Sequence, residues 1–277
     1  MQRSAVVVTG ASSGIGAATA ELLAREGCVV FAGVRNDADA AKLAALHELI
    51  RPIRLDVTDP VSIETSARAV RSSGLSLLGL VNNAGVAVTG PLEFLPIDDL
   101  RRQFEVNVFG AVAVSQAFLP TLRAQRGRIV FVGSVSGRFA VPFIAAYSAS
   151  KFALRAVADA MRMELSTSGI SVSLVEPGSV RTPIWRKGRS REELARRFSP
   201  QAMAYYRHVA DALLRVAERE ERIGMPADRV SRAILHALTT RKPRAHYLLG
   251  APARLGSILA LLPASLHDRL MLASMRL

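Results

Sequence analysis

The sequence predicts a doubly wound α/β protein, a parallel sheet with helices on both faces. Two observations carry the expectation. Nearly continuous apolar runs of strand length recur through residues 1–180, as strands covered on both faces require. Between them lie stretches with apolar residues at helical spacing, and strand–helix alternation at this period builds βαβ crossovers. In chain order, "AVVVTG" reads as a strand, "ATAELLARE" as a helix, and "CVVFAGV" and "IRPIRLDV" as the next two strands. "TDP" at Thr58–Pro60 starts a helix, with Asp59 as N-cap and Pro60 in the first turn; "PVSIETSARAVRSS" continues it. "LLGLVNNAG", "GRIVFVGS" and "ISVSLVEPG" complete the regular set. After Pro177 the pattern changes. Residues 181–222 are charged and helical in character, broken at Gly188 and Pro200; 226–240 and 255–277 also read as helical, with "HYLLGA" as one more strand between them. There is no internal repeat and no low-complexity linker, so residues 1–277 are expected to form one domain.

The composition, 50% hydrophobic over 277 residues, allows a sizeable buried core. The single cysteine, Cys28, cannot form an intramolecular disulfide and sits in a strand-like run, where it reads as a small core residue. The apolar run behind the first residues is too short for a signal peptide, and no stretch is long enough for a transmembrane helix. An intracellular protein is expected. The formal net charge of +13 is uneven: +2 over residues 1–180 and +11 over 181–277. Such a basic third could meet anionic lipid, an acidic protein or a phosphorylated ligand. Without zinc-finger spacing, an aromatic RNA-binding motif or a uniform Lys/Arg stripe, nucleic acid is the weakest option, and no metal site is read.

The first strand runs into "TGASSGIG", Thr9 to Gly16, and then a helix. Glycines in such a turn let backbone N–H groups approach a pyrophosphate at the positive helix end, which points to Gly10, Ser12, Ser13, Ile15 and Gly16. An ordinary tight turn would need fewer coincidences. The spacing is G-x-x-x-G-x-G. At the end of the second strand, where an acid would bond a ribose hydroxyl, the chain has Val34 and Arg35. A guanidinium there can pair with a 2′-phosphate, so NADP(H) is favoured; Asp37 leaves NAD(H) open, and Arg35 also reads as a solvated side chain. Asp56 in "LDVTD" could accept from the adenine amino group. "NNAG" at Asn82–Gly85 contains ordinary turn formers and is weak by itself. "YSASK" places Tyr147 and Lys151 one helical turn apart on one face; in isolation this reads first as a half-buried phenol beside a solvated ammonium.

Taken together, "TGASSGIG", "LDVTD", "NNAG", "EVNVFG", Ser134 with Tyr147-Ser-Ala-Ser-Lys151, and "EPGSVRTP" resemble the short-chain dehydrogenase/reductase family in order and spacing across residues 5–185. The resemblance implies a Rossmann-type domain with a catalytic tetrad at Asn107, Ser134, Tyr147 and Lys151. It also implies cofactor contacts at Val57, Asn83, Ala84, Gly85, Tyr147, Lys151, Pro177, Gly178, Val180 and Thr182. Interconverting an alcohol and a carbonyl moves a hydride and a proton, and the protein must handle the proton. An unperturbed tyrosine titrates near ~10, and a neighbouring Lys⁺ favours its phenolate. Ser134 would polarise the substrate oxygen, and Asn107 would hold a water linking Lys151 to solvent. Gly133, where many relatives have a second serine, departs from the pattern without disturbing the Ser134 register.

On this resemblance residues 1–182 form the cofactor and catalytic core, 183–224 cover the substrate, and 225–277 supply the C-terminal helices and last strand. Trp185, Met203, Tyr205 and Tyr206 fall in the covering segment, with Trp185 and Tyr205, beside Ser134 and Tyr147, as candidate substrate contacts. "ILALLPASLHDRLML", Ile258–Leu272, resembles the tail of the retinol and hydroxysteroid dehydrogenase branch, as do "VFAGVRN" and "QFEVNVFG". That branch acts on lipophilic alcohols and carbonyls. An apolar helix flanked by Arg254, Arg269 and Arg276 could lie in a lipid interface, against its own body or against a second subunit. The expected protein is therefore a cytoplasmic NADP(H)-dependent oxidoreductase, a homodimer or homotetramer by resemblance, with peripheral membrane contact left open. A 3-oxoacyl-carrier-protein-type reductase and a non-catalytic dinucleotide sensor are the alternatives.

Overall fold

Seven parallel strands in the order β3-β2-β1-β4-β5-β6-β7 form the sheet of the computed structural model, which describes residues 4–185, 199–206, 224–250, 256 and 262–275. The strands are β1 (Ser4–Val8), β2 (Val29–Val34), β3 (Ile50–Arg54), β4 (Ser76–Asn82), β5 (Arg128–Val132), β6 (Ser171–Pro177) and β7 (His246–Leu249). Each expected strand is present, including the one read from "HYLLGA". The helices are α1 (Gly14–Arg25), α2 (Asp37–Ala44), α3 (Pro60–Ser72), α4 (Ile97–Phe104), α5 (Gly110–Gln125), α6 (Ala145–Glu164), α7 (Pro200–Tyr205), α8 (Ala227–Thr239) and α9 (Ala264–Met275). Asp59 caps α3 through a bond from the Val61 N–H, with Pro60 in the first turn, as its sequence requires.

Ala5 to Val8 are fully buried, because β1 lies mid-sheet with helices on both sides. Helices α1 and α8 pack together on one face, where the Thr19 and Ser231 hydroxyls meet at 3.1 Å; α3, α5 and α6 pack on the other. Helix α8 comes so close to the sheet that a Cβ on Gly79 would lie 2.4 Å from Leu238. The strand order reverses direction between β1 and β4, which opens a crevice at their carboxyl ends. The segment 255–277 is not one helix: Leu262 and Pro263 are non-helical, and Pro263 marks the entry into α9. Among the described residues no helix is long and apolar enough to cross a membrane. Arg254, Arg276, residues 258–261 and most of the basic covering segment lie outside the described residues.

Candidate active site

The turn after β1 is built for close backbone approach. Gly10 has φ +62°, and a Cβ there would stand 2.7 Å from Ala84 Cα. A Cβ on Gly16 would lie 2.3 Å from the Gly10 carbonyl oxygen. Thr9, which sequence reasoning passed over, pins the turn to the end of β4: its hydroxyl oxygen accepts from Asn83 N at 3.0 Å and Ala84 N at 2.9 Å. The Asn83 amide answers by donating to the carbonyls of Thr9 and Gly10, at 2.9 and 3.0 Å. "NNAG" is therefore half of the crevice. Ser13 occupies the N-cap of α1 with no side-chain capping bond, and Ser12 and Ser13 are exposed. A helix N-terminus with glycine-lined backbone and free hydroxyls fits an anionic pyrophosphate. A Cβ on Gly14 would approach Thr182 to 3.2 Å, so the segment after β6 closes over the same turn.

Arg35 stands exposed just past β2, while Asp37 opens the first turn of α2 behind the Asn36 cap. Asp56 lies beyond β3, where its Oδ1 accepts from the Thr58 N–H and hydroxyl at 2.9 and 2.8 Å. Burial raises its pKa, but the Thr58 bonds and the Arg35 charge outweigh this and hold the carboxyl below its ordinary value. Arg35 and Asp56 thus lie close together past the carboxyl ends of β2 and β3. Val57 is buried there, its carbonyl 2.7 Å from where a Cβ on Gly110 would be.

The four expected tetrad positions lie on neighbouring elements: Asn107 before α5, Ser134 just after β5, and Tyr147 and Lys151 in the first turns of α6. Asn107 lies in a π-helical turn, Glu105–Phe109, that joins α4 to α5; such turns re-aim side chains. Its amide donates to Val86 O and Ser150 Oγ, both at 3.1 Å, and its Oδ1 accepts from Val86 N at 2.9 Å. Both amide protons are taken, so the side chain acts as a clamp between Val86 and α6. Gln103 repeats the clamp with Oε1 on Val88 N and Nε2 on Val86 O, both at 2.7 Å. Ser150 completes the link by donating to Tyr147 O at 2.8 Å. Sequence reasoning missed Gln103 and Ser150; a buried amide one turn before Asn107 was the available signal.

Ser134 caps the short turn Val135–Gly137 and accepts from Ser136 N at 3.1 Å, which orients the oxygen and leaves its proton to donate outward. Gly137 seats that turn on α6, since a Cβ there would lie 2.7 Å from Lys151 O. Gly133 packs against Leu174, whose methyl would be 3.0 Å from an added Cβ. Tyr147 and Lys151 are both buried on α6, with Lys151 Nζ 5.7 Å from the phenol ring centroid and donating to Val132 O at 2.9 Å. Burial lowers the Lys151 pKa from 10.5 to about 8. Beyond Pro177, Gly178 N bonds Leu249 O at 3.0 Å and Val180 pairs with Met225, which fixes the path to Thr182.

Just ahead of α6, aromatic side chains from three segments meet. Tyr206 lies edge-on to Phe94 and Phe143, with centroids 6.0 and 6.2 Å away, and donates its hydroxyl to Glu93 at 2.8 Å. Tyr205 stacks on Phe94 at 6.5 Å but is 63% exposed, so Tyr206 is the more firmly held of the two. Phe143 adopts φ +66°, uncommon for a bulky residue, while its carbonyl accepts from Gly90 N at 2.7 Å. Trp185 ends a short turn, Pro183–Trp185; its side chain, like that of Met203, lies outside the described residues.

The chain belongs to the short-chain dehydrogenase family, whose model matches residues 4–193. It is thus a member of a class of NAD(P)-dependent oxidoreductases acting on CH–OH groups or their carbonyls. It is 34% identical over 276 residues to an NADPH-dependent 3-dehydrocapnine reductase of Ornithobacterium rhinotracheale, covering 95% of this chain and 94% of that one. To human retinol dehydrogenase 5 it is 37% identical over 274 residues, covering 95% and 86%. Among solved structures, a short-chain dehydrogenase from Burkholderia cenocepacia in complex with NADP superposes with a TM-score of 0.74 at 28% identity, covering 98% and 99%. One from Burkholderia phymatum in complex with NAD gives 0.77 at 26% identity, covering 93% and 92%.

Proposed function

We propose that the protein is an NADP(H)-dependent oxidoreductase that interconverts an alcohol and a carbonyl on a lipophilic substrate, with Tyr147 as acid and base. The observation that carries the reading is the buried Tyr147–Lys151 pair on one face of α6. Lysine with a pKa of about 8 is mostly charged at neutral pH, and that charge beside the phenol stabilises its phenolate. Tyr147 gives its proton to the carbonyl oxygen on reduction and takes it back on oxidation. Ser134 donates to the same oxygen as charge develops on it. Asn107, through Ser150, holds the start of α6 against the loop 86–88. A nicotinamide dinucleotide, when bound, supplies or accepts the hydride.

The residues fit such a dinucleotide: the Gly10–Gly16 cradle takes a pyrophosphate, and Asn83, Ala84 and Gly85 line its other side. Arg35 supports the NADP(H) choice, as do the NADPH named for the Ornithobacterium relative and the NADP in the Burkholderia cenocepacia structure. NAD(H), seen with the Burkholderia phymatum protein, is the alternative. The aromatic group of Phe94, Phe143 and Tyr206 supports an apolar substrate, as does likeness to a retinol dehydrogenase. The test is NADPH consumption by the purified protein with a retinal, a ketosteroid, a medium-chain ketone and a 3-oxoacyl thioester, with NADH in parallel. Turnover of the first three supports the reading. Turnover of the thioester alone replaces it with a carrier-docking reductase, and silence with tight NADPH binding replaces it with a dinucleotide sensor.

A further inference from the structure

Behind the tetrad lies a charged cluster that the proposed chemistry does not use. Glu176, fully buried, is the residue before the Pro177–Gly178 turn. Arg138, which closes the turn begun by Ser134, grips it with Nε on Oε1 at 2.8 Å and Nη2 on Oε2. His246, the first residue of β7, bridges onward: its Nδ1 lies 2.8 Å from Glu176 Oε2 and its Nε2 lies 2.9 Å from Asp159 Oδ1 on α6. Arg162 reaches the same Asp159 oxygen at 3.1 Å, and Arg138 Nη2 stands 3.4 Å from His246 Nδ1. These are the charged groups that face His246 among the described residues: Arg138 from the turn after β5, Glu176 from β6, and Asp159 and Arg162 from α6.

The cluster joins four elements, and three of them carry proposed site residues a few positions away. Arg138 is four residues after Ser134, Glu176 is one before Pro177, and Asp159 lies on the helix that bears Tyr147 and Lys151. A bidentate Arg–carboxylate pair fixes orientation as well as distance. With a ring nitrogen at hydrogen-bond distance from a carboxylate oxygen on each side, His246 bridges Glu176 on β6 to Asp159 on α6. A surface ion pair would do none of this, being solvated and loosely held.

We propose that Arg138, Glu176 and His246 are positioning residues, a staple that holds the Ser134 turn and the Pro177–Gly178 turn in register with the Tyr147–Lys151 helix. The staple touches neither substrate nor cofactor. It rests on the tetrad reading above, because its effect is exerted through Ser134, Tyr147 and the nicotinamide edge of the cofactor site. The pyrophosphate cradle between β1 and β4 is built from other contacts, so overall dinucleotide affinity is independent of it.

The test uses the full chain with Glu176→Gln, which keeps shape and removes the charge, and His246→Gln, a milder change at a partly exposed residue. Variants are compared well below their unfolding temperatures. In both, kcat falls about 10- to 100-fold, the cost of a misplaced reacting group, while the NADPH Kd stays within about threefold. Folded variants with wild-type kcat overturn the proposal and leave a salt-bridge cluster with a stability role alone. A wild type silent on every carbonyl counts against the tetrad reading instead. The staple is then read by the nicotinamide fluorescence of bound NADPH: a changed emission at unchanged Kd supports it, and an unchanged emission overturns it.

Discussion

Replacing Lys151 with methionine should make the free protein more stable at neutral pH while destroying its activity. The lysine is wholly buried, and burial brings its pKa from 10.5 down to about 8. That shift corresponds to about 3 kcal/mol of destabilisation when the group is charged in both states. Methionine has a similar length and no charge to bury, but it leaves Val132 O without the 2.9 Å donor it now has, a loss of about 1–2 kcal/mol. The net gain at pH 7 is therefore about 1–2 kcal/mol. The pH dependence separates the two effects. Above pH 8 the folded lysine loses its proton while the unfolded one keeps it until about 10.5; the unfolded chain then binds more protons, and wild-type stability climbs with pH. The advantage of Lys151→Met should shrink by about 2.5 kcal/mol between pH 7 and 10 and reverse near the upper end. Urea unfolding of both proteins without cofactor at a series of pH values measures this directly. A difference that does not vary with pH would show that Lys151 is not a buried charge, and the electrostatic argument for Tyr147 would fail with it.

Three further outcomes are expected. Arg35→Ala should weaken NADPH binding by about tenfold or more and leave NADH binding nearly unchanged, since a charge-assisted bond is worth about 1.5–3 kcal/mol; parallel titrations with the two cofactors check it. Gly16→Ala should destabilise the protein by about 1–3 kcal/mol and impair dinucleotide binding, because the added methyl meets the Gly10 carbonyl at 2.3 Å; thermal unfolding with and without NADPH reads both effects. Asn107→Leu and Gln103→Leu should each cost about 1–3 kcal/mol by stripping partners from the 86–88 backbone, and the double variant should depart from additivity by about 0.5 kcal/mol or more, measured in a urea double-mutant cycle.

The sheet was legible because its central strands are covered on both faces, so β1, β2, β4 and β5 appear as nearly unbroken apolar runs. The Gly-rich turn after β1 and the capped start of α3 were legible too, since each is a local pattern with a local cause. What could not be read depends on distant partners. Thr9 looks like part of a turn until Asn83 and Ala84 arrive from a strand seventy-odd residues later. Arg138, Glu176, Asp159 and His246 are isolated charges in the sequence and a connected cluster only when β6, β7 and α6 meet. The π-helical turn at Glu105–Phe109 has no compositional mark, so nothing local signals that both Asn107 amide protons are committed. The helical stretch read over 255–277 is interrupted at Leu262 and Pro263, where proline cannot continue a helix.

The most direct test of the account is the Tyr147→Phe variant, assayed for NADPH binding and for NADPH oxidation with whichever carbonyl the wild type reduces. Removing one hydroxyl from a buried ring leaves the cradle between β1 and β4 untouched. The expected result is binding within about threefold of wild type and turnover lower by about 10²-fold or more, the contribution of a positioned general acid. Turnover that survives the loss of the phenol would contradict the central claim, since the proton would then be delivered by some other group.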